Sequence, residues 1–330
     1  MINRGRIRLI LTAALALTLL VAVAVPQEAK EEYTYEEYSY YNKAKAETDL
    51  TKKEAAIFEF LEKFPNSTLM NYVMAEFQAW ANATIQKGSH DQVIAASTRL
   101  REMVPGSDVP VQALASAYYF KQDFPNYLAN SEILYAKQPN VQMAYYMADA
   151  AIKCGDIARA EKYLGAVEQE GALLMKVDLA YKLYGYYAGK NDPKAIETAQ
   201  KVIALLEVSE PPADFKGDWA AFKNGTLAAC YSAVGNSQLK ASNFTAAAET
   251  FEKVVKVNPK DAASYFYLGL SYWFGKQAKA AAPAFAKAAV LNQPISSKAA
   301  EQLYKLLEGA GLADKYDEYI ATAKTELGIQ

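Results

Sequence analysis

A pattern of small and aromatic residues recurs at an interval of 34 positions near the carboxyl end of this 330-residue chain. The clearest copy lies within residues 262–294 and consists of an aromatic residue, a Leu-Gly pair and a tyrosine, then an alanine, a phenylalanine and a proline: Tyr265, Leu268, Gly269, Tyr272, Ala281, Phe285 and Pro294. A step back of 34 residues gives the corresponding set of Tyr231, Val234, Gly235, Ala247 and Phe251, with Pro259 in the closing position. A repeat of this length indicates stacked copies of one supersecondary unit.

The spacing within each copy predicts two helices joined by a turn. Tyr265, Leu268 and Tyr272 lie at positions i, i+3 and i+7, which form one face of a helix. Gly269 and Ala281 are small where two helices of one unit must approach closely, and the closing proline ends the second helix. The composition agrees with this prediction, because the chain contains 60 alanines but only 28 glycines and prolines together.

The residues of these two copies resemble the signature of the tetratricopeptide repeat family. Weaker copies precede them, for example one with Gly155, Ala160 and Leu164 that begins near Val141. The resemblance implies an all-α fold, a right-handed α-solenoid of about seven helix–turn–helix units over residues 33–294. The segment 295–330 is expected to add a capping pair of amphipathic helices, at about 296–308 and 313–327.

Short sequence signals predict where some helices begin and where the chain turns. Ser89 and Gln92 have the spacing of a capping box, and Asn243 is expected to cap the helix that starts at Phe244. Residues 208–217 contain Pro211, Pro212 and Gly217 and are expected to form a loop or hinge.

The amino terminus has the pattern of a secretory signal peptide. Three arginines precede the uncharged run from Leu9 to Val25, and Ala22-Val23-Ala24 fits the small-x-small cleavage rule. We therefore expect residues 1–24 to be removed, 25–32 to form a short N-terminal segment, and the protein to be exported to the periplasm or cell envelope. The alternative is an uncleaved inner-membrane anchor, although 17 apolar residues are at the short limit for a span.

Few residues in the chain can support catalysis or bind a metal. It has one histidine and two cysteines, and it lacks a glycine-rich phosphate loop. His90 is expected to be an exposed residue at a helix start, and Cys154 and Cys230 to be buried and unpaired. We predict a protein that is not an enzyme and needs no cofactor or metal. A formal net charge of −2 also argues against nucleic acid as a partner.

The resemblance implies a concave groove lined by the first helix of each unit. Carried over position by position, the partner-binding side chains are Asn82, Tyr119, Tyr145, Asp149, Tyr186, Asn236, Phe266, Leu270 and Trp273. The lysine, arginine and asparagine clamp of chaperone-binding members is not expected, because Phe266 and Leu270 are unsuitable for it.

Two functions remain open from the sequence. The first is a non-catalytic scaffold or adaptor of the bacterial cell envelope that binds peptide or protein segments. The second is a carbohydrate-binding protein in which tyrosine and tryptophan stack on sugars in the same groove, since the chain has 24 tyrosines. No membrane span is expected after signal cleavage, and self-association remains open.

Overall fold

The computed structural model describes residues 33–213 and 215–329, and over these ranges the chain forms sixteen α-helices and no β-strand. The helices follow one another with short connections, apart from a longer loop between α10 and α11. Their bounds are α1 Tyr35–Ala46, α2 Leu50–Lys63, α3 Met70–Gln86, α4 His90–Met103, α5 Val109–Lys121, α6 Phe124–Lys137, α7 Val141–Cys154, α8 Ile157–Glu170, α9 Leu173–Gly189, α10 Lys194–Glu207, α11 Trp219–Lys240, α12 Phe244–Val257, α13 Ala262–Phe274, α14 Ala278–Val290, α15 Ser296–Gly309 and α16 Tyr316–Leu327.

The helices divide between two compact units, each a run of successively packed helix pairs. One unit comprises the described residues up to 172 and holds α1 to α8; the other comprises residues 173–329 and holds α9 to α16. The predicted all-α fold of helix–turn–helix pairs is confirmed. Helices α15 and α16 lie close to the bounds expected for the capping pair.

In the first unit, the core is built from aromatic side chains on α2 and α3. Phe60 and Phe77 are fully buried, and the rings of Phe58 and Phe77 meet edge to face with their centroids 6.2 Å apart. Trp80 is also buried, and its Nε1 donates a hydrogen bond of 2.9 Å to the carbonyl of Leu50. A buried indole thus keeps its one polar group satisfied while it packs α3 against α2.

In the second unit, the two clearest sequence repeats pack through a glycine and a phenylalanine. A Cβ added to Gly235 would lie 2.9 Å from the ring of Phe251, and one added to Gly269 would lie 2.6 Å from the ring of Phe285. Both phenylalanines are fully buried. The glycines therefore let α11 approach α12 and α13 approach α14 at a distance that no larger residue permits, as predicted for Gly269.

The turn within most helix pairs contains a residue with positive φ, but that residue is often not glycine. Gln122, Ser242 and Lys276 have φ of 63°, 59° and 61°, whereas Gly155 occupies the same place in its own pair with φ of 77°. A left-handed residue stops the first helix and reverses the chain. Because the residue type varies, the left-handed turn of each repeat cannot be recognised from the sequence.

Aspartate and asparagine cap several helices, although two of the predicted caps are wrong. The Asp218 and Asp261 side chains accept hydrogen bonds from the first-turn amides of α11 and α13. Ser89 and Asn243 precede α4 and α12 but their side chains accept no such bond. The predicted partner in the Ser89 capping box, Gln92, instead donates from Nε2 to Glu54 at 2.7 Å. A capping box does form at α1, between Thr34 and Glu37.

The two thiols are unpaired, but they differ in exposure. Cys230 is fully buried in α11, as predicted, whereas Cys154 is exposed at the end of α7, where burial had been predicted. The predicted signal peptide lies outside the described residues. Within 33–213 and 215–329, no helix combines the length and hydropathy needed to cross a bilayer.

Candidate functional site

An apolar groove opens between α11 and α13, the first helices of two successive pairs. Its volume is about 370 Å³, within the range of about 300 to 1,000 Å³ that is typical of ligand sites. The lining comes from the end of α11, the start of α12 and one face of α13: Asn236, Leu239, Lys240, Phe244, Tyr267, Leu270 and Phe274. We call this surface the α11–α13 groove.

Helical spacing explains why these side chains share one surface. On α13, Tyr267, Leu270 and Phe274 lie at positions i, i+3 and i+7 and form a stripe. The repeat signature of Tyr265, Leu268 and Gly269 forms another face of the same helix, which is buried. One face of α13 therefore packs in the core, and another stays available along the groove.

The groove walls are held in place by contacts between aromatic rings. Phe244, the first residue of α12, lies 5.5 Å from Phe274 between ring centroids, and Tyr267 is stacked on the buried Phe251 at 5.7 Å. Phe274 is 55% exposed, which is high for a phenylalanine. A large exposed apolar side chain beside an apolar groove is typical of an interaction surface.

The only charged side chain that lines this groove is a cation. Lys240 is the one charged residue among its lining residues, and Lys276 follows in the turn directly after Phe274. The nearest acidic residues in the sequence, Glu249, Glu252 and Asp261, lie on α12 or in the turn after it, and none of them lines the groove. A lysine at the edge of an apolar groove favours a partner segment that carries a negative charge beside its apolar side chain.

Three of the predicted groove residues in this unit lie at or beside the groove, but one is buried in the core. Asn236 and Leu270 line the groove. Trp273 is half-buried, parallel to Phe274 and edge-on to Phe285 at 5.9 Å between centroids. Phe266 is only 2% exposed and packs against Phe285, so this prediction is corrected: Phe266 stabilises the core and is not available to a partner.

The error at Phe266 has a physical cause. The residue lies next to the signature tyrosine on a helix that is buried on more than one face, because α13 packs against both α12 and α14. A hydrophobic face used for packing and one used for binding have the same helical period. The residues missed on the groove, Phe274 and Lys240, are separated by 34 positions, as are Leu270 and Asn236, so the repeat interval could have identified them.

In the first unit, the structure brings three of the predicted residues together, but mostly inside the protein. Tyr145 and Asp149 are 5% and 3% exposed, so the prediction that they line an open groove is corrected. Tyr119 is half-buried and lies edge to face with Tyr127 and Tyr146, at 5.1 and 5.9 Å between centroids.

A lysine carried by α7 completes this aromatic cluster. The Nζ of Lys153 lies 2.6 Å from a carboxylate oxygen of Asp149 and 5.7 Å from the centre of the Tyr119 ring. Burial raises the pKa of the Tyr127 phenol well above its usual value. The cation and the carboxylate neutralise each other, so this cluster serves to pack α5, α6 and α7.

Two further predicted residues are accessible to solvent, and neither of them lines one of the two cavities. Asn82 is exposed and its Oδ1 accepts a hydrogen bond of 3.1 Å from Gln78. Tyr186 is half-buried, with the Nζ of Lys190 lying 5.8 Å from its ring centre.

A second cavity lies between α14 and the capping helix α16. Its volume is about 430 Å³, and its lining mixes both signs of charge. Lys287 and Glu326 form an ion pair of 2.7 Å within this lining. Because its charged groups are paired with each other, they are less available to bind a partner than Lys240 in the α11–α13 groove.

Neither cavity contains a cluster of metal ligands. Within the described ranges, no group of three or more histidine, cysteine, aspartate or glutamate side chains is arranged to hold a metal ion. His90 begins α4, partly exposed, and stacks on Phe120 with ring centroids 6.5 Å apart.

The sequence matches the tetratricopeptide repeat family over residues 233–305, which include α12, α13, α14 and most of α15. The structure is similar to the C-terminal part of a TPR repeat-containing protein from Cytophaga hutchinsonii, with 16% identity, coverage of 75% of this chain and 95% of that one, and a TM-score of 0.44. It is also similar to a tetratricopeptide repeat protein from Parabacteroides merdae, with 15% identity, coverage of 82% and 95%, and a TM-score of 0.37.

A further similarity is to MamA from Desulfovibrio magneticus RS-1, with 21% identity, coverage of 57% of this chain and 94% of that one, and a TM-score of 0.36. No curated protein matches the chain in sequence.

Proposed function

We propose that this chain, a member of the tetratricopeptide repeat family, is a non-catalytic scaffold of the bacterial cell envelope that binds a peptide or protein segment in the α11–α13 groove. Proteins of this family generally serve as scaffolds for protein–protein interaction. The observation that carries the proposal is the groove itself, where an exposed Phe274 and a half-buried Leu270 adjoin a cavity of about 370 Å³.

The chemistry of the groove suits a polypeptide segment with a bulky apolar side chain. Leu239, Leu270 and the rings of Phe244, Tyr267 and Phe274 can enclose such an anchor, whereas Asn236 supplies a donor and an acceptor for main-chain groups. Burial of one large apolar side chain contributes about 1.5 to 3 kcal/mol. A central aromatic anchor of this kind typically dominates the energy of an interface.

The envelope location is supported by the sequence of the amino terminus. Arg4, Arg6 and Arg8 precede an uncharged run that ends near an Ala-Val-Ala cleavage signal. Amino-terminal sequencing of protein recovered from the periplasmic fraction would test this part of the proposal. A first residue of Val25 is expected, while an intact leader in a soluble cytoplasmic fraction would contradict it.

The binding proposal is tested by affinity capture from an envelope extract, followed by titration of each purified captured protein. The full chain carries a C-terminal tag and is used in the processed form that the cell yields. Phe274→Ala is expected to weaken binding by about 2 kcal/mol, roughly 30-fold in the dissociation constant.

Phe120→Ala is the matched control, because Phe120 is similarly exposed at 45% but lies on α5 and does not line the groove. It is expected to leave the affinity unchanged. Equal affinities for wild type and Phe274→Ala would contradict the assignment of the groove.

A further inference from the structure

The amino-terminal end of the described residues presents an acidic and aromatic surface that no other described helix of its unit covers. Helix α1 buries only Tyr41 and Ala44. Tyr35 is 89% exposed, and Tyr33 and Tyr38 are stacked on each other at 5.5 Å while each remains about 40% exposed. Exposed aromatic rings grouped in this way are typical of a contact surface.

The charges on this surface are negative. Glu36 and Glu37 lie in the first turn of α1, and Glu36 is exposed. The basic residues of α1, Lys43 and Lys45, are confined to its last turn. We call the segment formed by Tyr33, Tyr35, Glu36 and Tyr38 the acidic aromatic face.

The α11–α13 groove has the opposite character. Its lining contains four apolar or aromatic side chains suited to a tyrosine ring, besides Tyr267, and the charged residues at its edge are Lys240 and Lys276. Within residues 33–213 and 215–329, neither lysine forms an ion pair. Complementary charge and an apolar slot for an aromatic side chain are the two properties that favour docking of one surface on the other.

We propose that the α11–α13 groove of one copy binds the acidic aromatic face of a second copy, with Tyr35 as the aromatic anchor and Glu36 facing the two lysines. This inference rests on the groove assigned above as the protein-binding site. The two surfaces are different, so the contact is head-to-tail, and the pair retains one unused groove on one copy and one unused face on the other. The protein therefore assembles into short chains whose length increases with concentration.

The contact is expected to be weak and sensitive to salt. A few turns of helix bury less surface than a stable dimer interface, and interfaces of this size are typical of weak, transient contacts. Since the charges are exposed, higher ionic strength screens them and shortens the chains. Occupation of the groove by a second copy would compete with any other partner of that groove.

Sedimentation velocity of the full chain, in its processed form, between about 1 and about 200 µM is the first test, because small interfaces associate in this range. The weight-average mass is expected to rise with concentration and to fall when salt is added. A mass equal to that of the monomer over the whole range would overturn the proposal.

Two variants separate the two surfaces. Lys240→Glu with Lys276→Glu inactivates the groove, and Tyr35→Ser with Glu36→Gln inactivates the acidic aromatic face. Each double variant alone is expected to remain monomeric. An equal mixture is expected to form a dimer that does not extend, because the intact face of the first variant binds the intact groove of the second. A mixture that stays monomeric, or either variant assembling alone as wild type does, would overturn the head-to-tail contact.

The matched control is Lys256→Glu with Lys260→Glu, which makes the same change of charge at two exposed positions. Lys256 lies in the last turn of α12, and Lys260 lies in the turn that follows it. It is expected to assemble as wild type does, and circular dichroism confirms that all variants fold. A monomeric wild type that still loses captured proteins on Phe274→Ala would refute self-assembly and leave the proposed scaffold function intact.

Discussion

At the residue scale, the fit between the two helices of a repeat depends on a glycine in each of the two clearest repeats. Gly269 faces the ring of Phe285, and Gly235 faces that of Phe251, each at a distance that an added methyl group would violate. The rings are fully buried and therefore have no free space into which to move.

We predict that Gly269→Ala destabilises the protein although alanine is the better helix former. The gain in helix propensity is about 1 kcal/mol, whereas overpacking of a core costs about 1 to 3 kcal/mol, so a net loss of up to about 2 kcal/mol is expected. Gly225→Ala in α11 is the control, because nothing lies within 4 Å of a Cβ added there. Chemical denaturation should show Gly225→Ala to be stabilising; a stabilising Gly269→Ala would contradict the packing described.

The two thiols give a second prediction at this scale. Burial raises the pKa of the Cys230 thiol to about 12, and the residue is fully buried, whereas Cys154 is exposed. A thiol-reactive probe at neutral pH is expected to label Cys154 quickly and Cys230 only at the rate of unfolding, since the thiolate is the nucleophile. Peptide mapping after brief labelling checks this. Equal labelling of both cysteines in the native protein would contradict it.

At the element scale, tyrosine–glutamate hydrogen bonds join helices of successive pairs. The hydroxyl of Tyr163 on α8 donates to Glu132 on α6 at 2.8 Å, and Tyr231 and Tyr272 make the same contact with Glu207 and Glu252. Burial, together with the neighbouring carboxylate, raises the pKa of Tyr272 to about 12. The Tyr231 and Tyr272 bonds link α10 to α11 and α12 to α13, and of these helices α11, α12 and α13 line the groove.

The Glu207 contact makes stability depend on pH. The hydrogen bond from Tyr231, followed by the contact with Lys253, lowers the pKa of the Glu207 carboxyl. A carboxylate whose pKa is lowered on folding adds stability above its unfolded pKa of about 4.3, and this contribution is lost as the pH falls through the folded pKa.

We therefore predict that Glu207→Gln lowers stability at pH 7 and that its deficit relative to wild type shrinks as the pH is lowered below about 4.3. Thermal unfolding measured from neutral to acidic pH checks the trend. Glu210→Gln, at an exposed position of the following loop, is the control and is expected to have little effect at any pH. A deficit that stays constant with pH would mean that the carboxylate charge is not what stabilises this contact.

The sequence predicts the helix pairs of the fold more accurately than it predicts the residues of the candidate site. The 34-residue interval identifies the helix pairs because Gly269 and Phe285 must be opposite each other whatever else the helices do. The left-handed turns at Gln122, Ser242 and Lys276 could not be predicted, since these residue types do not require positive φ. Phe266 and Tyr145 were misplaced because an apolar face that packs against a neighbouring helix has the same period as one that binds a partner.

At the scale of the whole molecule, the proposed binding surface is formed by neighbouring repeats. No single helix makes the α11–α13 groove: Asn236 and Lys240 come from one pair, and Leu270 and Phe274 occupy the equivalent positions, 34 residues later, in the next. Repeat proteins can diversify such a surface by substitution at equivalent positions while the core residues stay fixed.

The most direct test of this account is site-specific photo-crosslinking in cells. A photoreactive amino acid is placed at Phe274 in the groove and, in a separate protein, at Lys256, which is exposed on the last turn of α12. Adducts with one or a few proteins, or with a second copy of the chain, are predicted from position 274 and not from position 256. No adduct from position 274, or the same adducts from both positions, would contradict the claim that the α11–α13 groove is the binding site.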